Sequence, residues 1–295
     1  MRKHSKAPDS PRPERGAVVV TGTSSGIGKA IVEALSERHF NVFATVRTAA
    51  DAAAVETISA NVRGVILDVT DDGSVASAAQ QVAVSGLRLE GVVSNAGIAL
   101  GGPLEYVRLD ELRHQLEVNV VGALAVAQAF LPQLRSARGR LIFIGSVAGR
   151  IAMPFIGPYS ASKFALRALA DAMRIELAHA GIRVSLIEPG SVRTPIWRKG
   201  RQTRSRLEER LGHAGAQHYG DALRALMRQT ENEERVGMPP ERVAQIVLRA
   251  LTSRRPRAHY IVGAPARIGA ILTLLPTSLH DRIMHAWVRP PKANR

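Results

Sequence analysis

Cysteine is absent from the 295 residues of this sequence. Its absence excludes disulfide bonds, thiolate metal sites and cysteine nucleophiles. It also fits a reducing cytoplasm, where we expect the protein to be located, and no other cluster of metal ligands predicts a metal site.

Long apolar runs, linkers and repeats are missing as well. Residues 1–15 are basic and contain proline, with no apolar segment behind them, so they predict a disordered tail rather than a signal peptide or membrane span. No Gly/Ser linker or solenoid repeat divides the remainder. We therefore expect one domain at 16–265, with an irregular substrate insertion at 195–239, followed by a helical extension at 266–295.

Basic residues outnumber acidic ones by 40 to 25, giving a formal net charge of +15. Such a charge is typical of nucleic-acid-binding proteins. However, most of the basic residues are arginines spread through the whole chain, as a bias in composition would produce. Two acid-poor runs, Arg193–Arg206 and Arg249–Arg295, either bind a partner or reflect the same bias. We expect no specific nucleic-acid partner.

Segments rich in β-branched residues alternate with segments of helical periodicity. This alternation predicts an α/β fold: a single Rossmann-type doubly wound parallel sheet of about seven strands, with helices on both faces. The predicted strands are Ala17–Val20, Val42–Val46, Val65–Asp68, Gly91–Ser94, Leu141–Gly145, Arg183–Glu188 and His259–Val262. The predicted helices are Ile27–Arg38, Ser74–Val84, Leu109–Leu134, Tyr159–His179 and Pro240–Thr252.

A glycine-rich turn follows the first strand and opens the first helix. Glycine permits a tight turn and a close approach of the backbone to a ligand, while a helix N-terminus attracts phosphate. The turn therefore predicts a dinucleotide site, although an ordinary strand-to-helix turn can carry the same glycines. Its residues are Gly22, Thr23, Ser24, Ser25, Gly26, Ile27 and Gly28.

Ser146, Tyr159 and Lys163 form the second motif, with the serine thirteen residues before the tyrosine and the lysine four after it. Positions i and i+4 share a helix face, so the ammonium is expected beside the phenol. A nearby positive charge lowers the phenol pKa from about 10 toward the working pH, as a general acid/base requires. The tyrosine-lysine spacing alone is also common on solvated helices.

Taken together, these motifs resemble the short-chain dehydrogenase/reductase family, on the side of its steroid and retinol dehydrogenases. The resemblance covers most of the chain and implies an NAD(P)-dependent oxidoreductase acting on CH–OH groups, with Tyr159 as acid/base. It also implies that Ser146 binds the substrate oxygen, that Lys163 holds the nicotinamide ribose, and that Asn119 supports a water in the proton relay. Without the resemblance, Asn119 would be interpreted as a satisfied buried amide.

The resemblance assigns further cofactor contacts to residues that follow strands. The residues after the third strand are expected to contact adenine, although Asp68 could instead cap the following helix. The residues after the fourth strand are expected to stabilise the sheet beside the cofactor. Ser94 stands where family members usually carry another asparagine. The assigned residues are Asp68, Val69, Asn95, Ala96 and Gly97.

After the sixth strand, Pro189, Gly190, Val192 and Thr194 match the family loop that closes over nicotinamide. A plain Pro-Gly turn is the alternative interpretation.

The choice of cofactor depends on the end of the second strand. Val46 occupies the position where NAD-specific sites of this fold carry an acid for the ribose 2′-hydroxyl. Arg47 follows, where NADP-preferring family members carry a basic residue. NADP is therefore favoured, with NAD as the alternative if Arg47 is only a surface arginine.

An apolar segment at 151–156 is expected to border a pocket for a lipophilic alcohol or ketone, with Trp197 and Met227 closing over it. A homo-oligomer is also expected. One alternative is a 3-oxoacyl carrier-protein reductase, in which Arg193–Arg206 docks an acidic carrier; another is a non-catalytic NADP-binding regulator. The insertion and C-terminal extension disfavour the first, and the intact motif set disfavours the second.

The segment Ala266–Val288 repeats apolar residues at helical spacing before Pro276 interrupts it. It is too short to span a bilayer. With basic flanks, it could lie on an anionic membrane surface as a peripheral contact. Packing against the catalytic domain or a second subunit is favoured, because an apolar helical stripe is more often buried. The residues concerned are Ile268, Ile271, Leu272, Leu275, His285 and Trp287.

Overall fold

The structure, a computed structural model, describes residues 15–196, 209, 211–224, 235–273 and 275–288. The pocket candidates Trp197 and Met227 and the predicted tail at 1–14 lie outside the described residues. The side chains of Ile271 and Trp287 do so as well.

Seven parallel strands form one sheet in the order β3-β2-β1-β4-β5-β6-β7. This is the predicted doubly wound fold. The order reverses between β1 and β4, and in such sheets ligands bind at this point, beyond the carboxyl ends of the strands. The strands are β1 Ala17–Val20, β2 Asn41–Val46, β3 Val62–Ile66, β4 Leu89–Ser94, β5 Arg140–Ile144, β6 Arg183–Pro189 and β7 His259–Val262.

Helices cover both faces of the sheet. One core packs α3, α5 and α6 against it, and the other packs α1 and α8 on the opposite face. The helices are α1 Gly26–Ser36, α2 Ala49–Glu56, α3 Asp72–Val84, α4 Leu109–Leu116, α5 Gly122–Ala137, α6 Gly157–Glu176, α7 at 211–224, α8 Pro240–Thr252, α9 Ala264–Leu272 and α10 Thr277–Val288.

The structure differs from the sequence prediction at several places. Strand β3 begins and ends earlier than predicted, at Val62–Ile66. The insertion, predicted as irregular, contains helix α7. Helix α2 was not predicted, because Val55 is its one buried residue and an alanine-rich helix has no apolar stripe to recognise.

The predicted helix Leu109–Leu134 is interrupted by a π turn at Glu117–Val121 between α4 and α5. The whole stretch is long and apolar enough to cross a membrane. Phe130 and Leu134 are nevertheless fully buried against the sheet. These two apolar residues thus belong to the core.

Candidate active site

A cavity of about 1380 Å³ opens at the carboxyl ends of the strands, where the strand order reverses. It is lined by the glycine-rich turn, by residues at the ends of β2 to β6, and by the start of α6. Two predicted site residues, Thr23 and Asn119, are not among the lining residues. All the other predicted site residues are.

The glycine-rich turn forms a cradle in which side chains have no room. Gly26 begins α1 with a φ of +59°. A Cβ at Gly28 would lie 2.2 Å from the carbonyl oxygen of Gly22. Thr194 crosses over the turn, 3.1 Å from where a Cβ at Gly26 would be. The backbone can therefore approach a ligand closely at the N-terminal end of α1.

Thr23 is the exception in this turn. Its amide nitrogen and its hydroxyl both donate to the carbonyl oxygen of Thr45, each at 3.1 Å. The Thr23 side chain is fully buried. The structure thus places this side chain against β2, and the role of Thr23 as a cofactor contact stays a prediction.

The first turn of α1 and the end of β2 together fit a nucleotide. The first turn of α1 contains no acidic residue that would repel a phosphate. Thr45, which also lines the cavity, has a buried hydroxyl with no hydrogen-bond partner among the described residues. Arg47 is exposed at the same corner. The glycine cradle, the orphaned hydroxyl and the cation together fit a phosphorylated dinucleotide.

Residues after β3 and β4 close the side of this cradle. Asn95 donates through Nδ2 to the carbonyl oxygens of Thr21 (2.8 Å) and Gly22 (3.0 Å). The hydrogen bonds from Thr70 to Asp68 lower the pKa of that carboxyl. The alternative role of Asp68 as a helix cap is wrong, because Asp71 caps α3 by accepting from the amide of Ser74 at 3.0 Å.

Ser146, Tyr159 and Lys163 meet in the middle of the cavity. Ser146 follows β5, and its hydroxyl accepts from the amide of Ala148 at 3.1 Å, which fixes the side chain. Tyr159 and Lys163 are buried in the first two turns of α6. A hydrogen bond joins Ser146 to the Tyr159 phenol. The spacing noted in the sequence thus brings all three side chains together.

The electrostatics of this group differ from the sequence-based expectation. Burial raises the pKa of Tyr159 to about 12, against the smaller lowering effect of the bond to Ser146. Burial also lowers the pKa of Lys163 to about 8. The ammonium lies 5.7 Å from the phenol ring centre and donates to the carbonyl oxygen of Ile144 at 2.9 Å. In this state desolvation outweighs the expected effect of Lys163 on the phenol.

Asn119 lies behind the cavity wall, within the π turn. Its amide accepts from the Ile98 nitrogen and donates to the Ile98 oxygen, both at 2.9 Å. It also donates to the hydroxyl of Ser162 at 3.0 Å. One turn earlier, Gln115 donates to the same Ile98 oxygen and accepts from the amide of Leu100, both at 2.7 Å. The two amides therefore fix the loop after β4, and a relay role for Asn119 stays a prediction.

The C-terminal helices form one wall of the cavity. The sequence alone left open where these helices pack. Gly269 in α9 lets the helix pack closely, because a Cβ there would lie 2.9 Å from Val147 Cγ2. Apolar cavity residues come from α9 and from α10. The periodicity indicated the helices, but only long-range packing places them here. The residues are Ile268, Leu272, Ile283 and Met284.

The segment at 151–156 has two faces. Ile151, Met153 and Ile156 line the cavity, as expected. Phe155 instead packs edge-to-face on Tyr219 of α7, with ring centres 6.2 Å apart. Helix α7 thus supports this segment from behind. Among the described residues, no group of His, Asp or Glu side chains could hold a metal ion.

Known proteins resemble this chain over most of its length. A sequence model of the short chain dehydrogenase family matches residues 16–205. The chain is 36% identical to an NADPH-dependent 3-dehydrocapnine reductase of Ornithobacterium rhinotracheale, over 90% of this chain and 95% of that protein. It is 37% identical to human retinol dehydrogenase 5, over 94% and 89% of the two chains. A crystal structure of a short chain dehydrogenase from Burkholderia cenocepacia in complex with NADP superposes with a TM-score of 0.71, at 26% identity, and covers 92% of this chain and 98% of that one.

Proposed function

The chain belongs to the short chain dehydrogenase family and is an NAD(P)-dependent oxidoreductase, and we propose that it interconverts a lipophilic alcohol and its ketone or aldehyde with NADP(H). One observation carries the proposal: a single cavity joins the glycine cradle and Arg47, the group of Ser146 and Tyr159, and an apolar wall. The NADP-bound structural neighbour and the NADPH-dependent relative support the choice of cofactor.

The nicotinamide cofactor, when bound, supplies or accepts a hydride. The residues of this chain manage the proton. With its pKa raised to about 12 by burial, Tyr159 is protonated at neutral pH and can donate to a carbonyl oxygen as that oxygen gains charge. Ser146 would hold the same oxygen by a hydrogen bond. Lys163 would bind the nicotinamide ribose, and its charge would ease return of the proton in alcohol oxidation.

Arg47→Ala is expected to weaken NADPH binding about ten- to a hundredfold and to leave NADH binding unchanged. The reason is that a charge-assisted hydrogen bond to the 2′-phosphate contributes about 1.5–3 kcal/mol, and only NADPH carries this phosphate. Fluorescence titration of both cofactors measures the effect. Arg63→Ala on the neighbouring strand β3 is the matched control, since Arg63 does not line the cavity. Equal losses for both cofactors would refute this role of Arg47.

The apolar wall predicts the class of substrate. Leu272 and Met284 would contact an extended hydrocarbon whose carbonyl lies at Tyr159. We therefore expect wild-type protein to reduce all-trans-retinal or a steroid ketone with a kcat/KM at least about ten times that for cyclohexanone. Each buried apolar group contributes on the order of 1 kcal/mol or more to binding the larger substrate. NADPH absorbance follows both reactions.

Leu272→Gln should lower kcat/KM about tenfold for the large substrate and little for cyclohexanone. Leu279→Gln on α10 is the matched control, because Leu279 is 43% exposed and does not line the cavity. A preference for an acetoacetyl thioester would instead favour the carrier-protein reductase. Tight NADPH binding without turnover of any carbonyl compound would favour the non-catalytic regulator.

Two expectations about partners stay proposals. Exposed apolar residues on α4, the π turn and α6 are available for a homo-oligomer; they are Leu109, Val121 and Phe164. Ile268 and Leu279 remain exposed beside Arg267 and Arg282. This arrangement leaves room for peripheral contact with an anionic membrane in addition to packing on the cavity.

A further inference from the structure

An ionic cluster centred on a buried glutamate lies beside the cavity, and none of its members belongs to the predicted catalytic or cofactor set. It consists of Arg150, Glu188, His259 and Asp171, and we call it the Glu188 network. The Glu188 side chain is 0% exposed and that of Arg150 is 16% exposed. Removing a carboxylate from water is costly unless it is paired and hydrogen-bonded. A buried glutamate next to an active site therefore suggests a function.

The contacts within the network are short and directional. Arg150 donates to both carboxylate oxygens of Glu188, from Nε at 2.7 Å and from Nη2 at 2.6 Å. Such a fork fixes the relative orientation of two groups. His259 Nδ1 lies 3.1 Å from the second oxygen, and its Nε2 lies 2.9 Å from Asp171. Glu188 is thus held from two sides.

Three of the four members lie on elements that carry part of the site, and His259 on β7 joins two of them. Arg150 follows the turn that Ser146 caps. Glu188 lies in β6, directly before the loop that lines the cavity. Asp171 lies on α6, the helix of Tyr159. The network therefore connects the serine loop, the cofactor loop and the tyrosine helix through side chains.

We infer that Glu188 is a positioning residue that acts through Arg150 on the loop of Ser146. The inference rests on the proposed function, because that function makes Ser146 a substrate ligand. The fork ties the loop of Ser146 to β6, and the contacts of His259 with Glu188 and Asp171 continue this link to α6. Misplacing a catalytic group by about 1 Å can lower a rate about a hundredfold, so a loosened loop would reduce kcat more than it weakens cofactor binding.

Opposite charges alternate around most of the network, and Arg150 Nη2 also lies 3.2 Å from His259 Nδ1. Burial by itself raises the pKa of Glu188, but the hydrogen bonds from His259 and Arg150 outweigh it, and the net pKa is lowered. The hydrogen bond to Glu188 is the largest cause that raises the pKa of His259, and Asp171 adds to it. Arg174 and Arg167 face Asp171 from α6, at 3.6 and 4.0 Å.

These shifts give the network a pH signature that does not depend on turnover. A histidine whose folded pKa is raised stabilises the fold below its unfolded pKa of about 6.5, and this contribution is lost as the pH rises through the folded pKa. Wild-type Tm should therefore fall as the pH increases above about 6.5. In Glu188→Gln, which keeps the volume of the side chain, this fall should be smaller because His259 loses its main charged partner.

The decisive experiment is a double-mutant cycle between Glu188→Gln and Ser146→Ala, measured as kcat for ketone reduction with saturating NADPH. Glu188→Gln alone should lower kcat about 10- to 100-fold and change the Kd of NADPH less than about threefold. In the Ser146→Ala background the same change should lower kcat less than about threefold, since the group being positioned is already missing. Arg150→Lys, which keeps the charge but loses the fork, should show the same coupling.

Arg88→Lys is the matched control. Arg88 donates to the carbonyl oxygen of Ala137 at 2.8 Å, and it lies directly before β4, at the opposite end of this strand from the cavity. It should leave kcat unchanged. Should Glu188→Gln fail to fold, the cycle with Arg150→Lys decides. Equal effects of the substitution with and without Ser146 would overturn the inference, as would a wild-type kcat in both variants. The wild-type protein could reduce no ketone while Tm still falls with pH, and falls less in Glu188→Gln. That result would refute the proposed function but not the contacts of the Glu188 network.

Discussion

Tyr159→Phe is expected to lower kcat about 10²–10⁴-fold while the Kd of NADPH changes little, because general acid/base groups contribute rate factors of this size. The substitution removes only the phenol hydroxyl. The ring remains buried in the cluster with Ala99, Ala148 and Ile156, so the fold is retained. Single-turnover NADPH oxidation measures the chemical step, and fluorescence titration measures binding.

Ser146→Ala serves as the comparison, since it removes the other hydroxyl of the pair and leaves the phenol. It should reduce kcat by a smaller factor than Tyr159→Phe. The raised pKa of Tyr159 also predicts opposite pH dependences: ketone reduction should slow at alkaline pH, whereas alcohol oxidation should accelerate as the phenol is deprotonated. Turnover by Tyr159→Phe above about a tenth of the wild-type value would show that another group transfers the proton.

Lys163→Met is expected to impair both chemistry and cofactor binding. We expect kcat to fall at least about a hundredfold and the affinity for NADPH to fall about tenfold, because one ammonium is proposed to assist the phenol and to hold the ribose. Titration of NADPH with the Tyr159→Phe variant provides the comparison, since that variant loses chemistry alone. Unchanged NADPH affinity in Lys163→Met would show that this lysine does not bind the nicotinamide ribose.

The same substitution should not destabilise the fold. The pKa of Lys163 is lowered from 10.5 to about 8 by burial, so the folded state binds this proton less tightly than the unfolded chain does. Below pH 8 the buried charge therefore costs on the order of 3 kcal/mol, and the cost disappears as the pH rises toward 10.5. Lys163→Met removes this cost but also removes the hydrogen bond to the Ile144 oxygen. The lost hydrogen bond costs about 1–3 kcal/mol and offsets part or all of the stability gained. At neutral pH, Tm should be unchanged or higher by up to a few degrees.

Local patterns determined what the sequence could predict. The meeting of Tyr159 with Lys163 follows from a four-residue spacing on one helix, and the cradle follows from glycines directly after a strand. The inward turn of Thr23 depends on a carbonyl of β2, 22 residues away. The cavity wall formed by α9 depends on the packing of Gly269 against Val147, more than a hundred positions earlier in the chain. Spacing rules carry no information on contacts of this kind.

The Glu188 network illustrates the same limit. Arg150 and His259 are 109 residues apart, and in the sequence neither differs from the many other polar residues of this Arg-rich chain. The domain limits are a further case. The division into 1–15, 16–265 and 266–295 stays a proposal, and the contribution of α9 and α10 to the cavity argues for treating the extension as part of the catalytic unit.

The π turn at Glu117–Val121 accommodates one more residue than a regular helical turn, and its Gly122 amide bonds back five residues to Glu117. That extra residue lets one continuous helix satisfy two requirements of different phase. Before and within the turn, Gln115 and Asn119 face the loop at Ile98; after it, Phe130 faces the sheet. In a regular helix one extra residue would rotate everything beyond it by about 100°, and the wider turn absorbs this rotation so that both faces keep their partners. Homologous chains should therefore gain or lose a residue at this turn more readily than at any other position of α4 or α5.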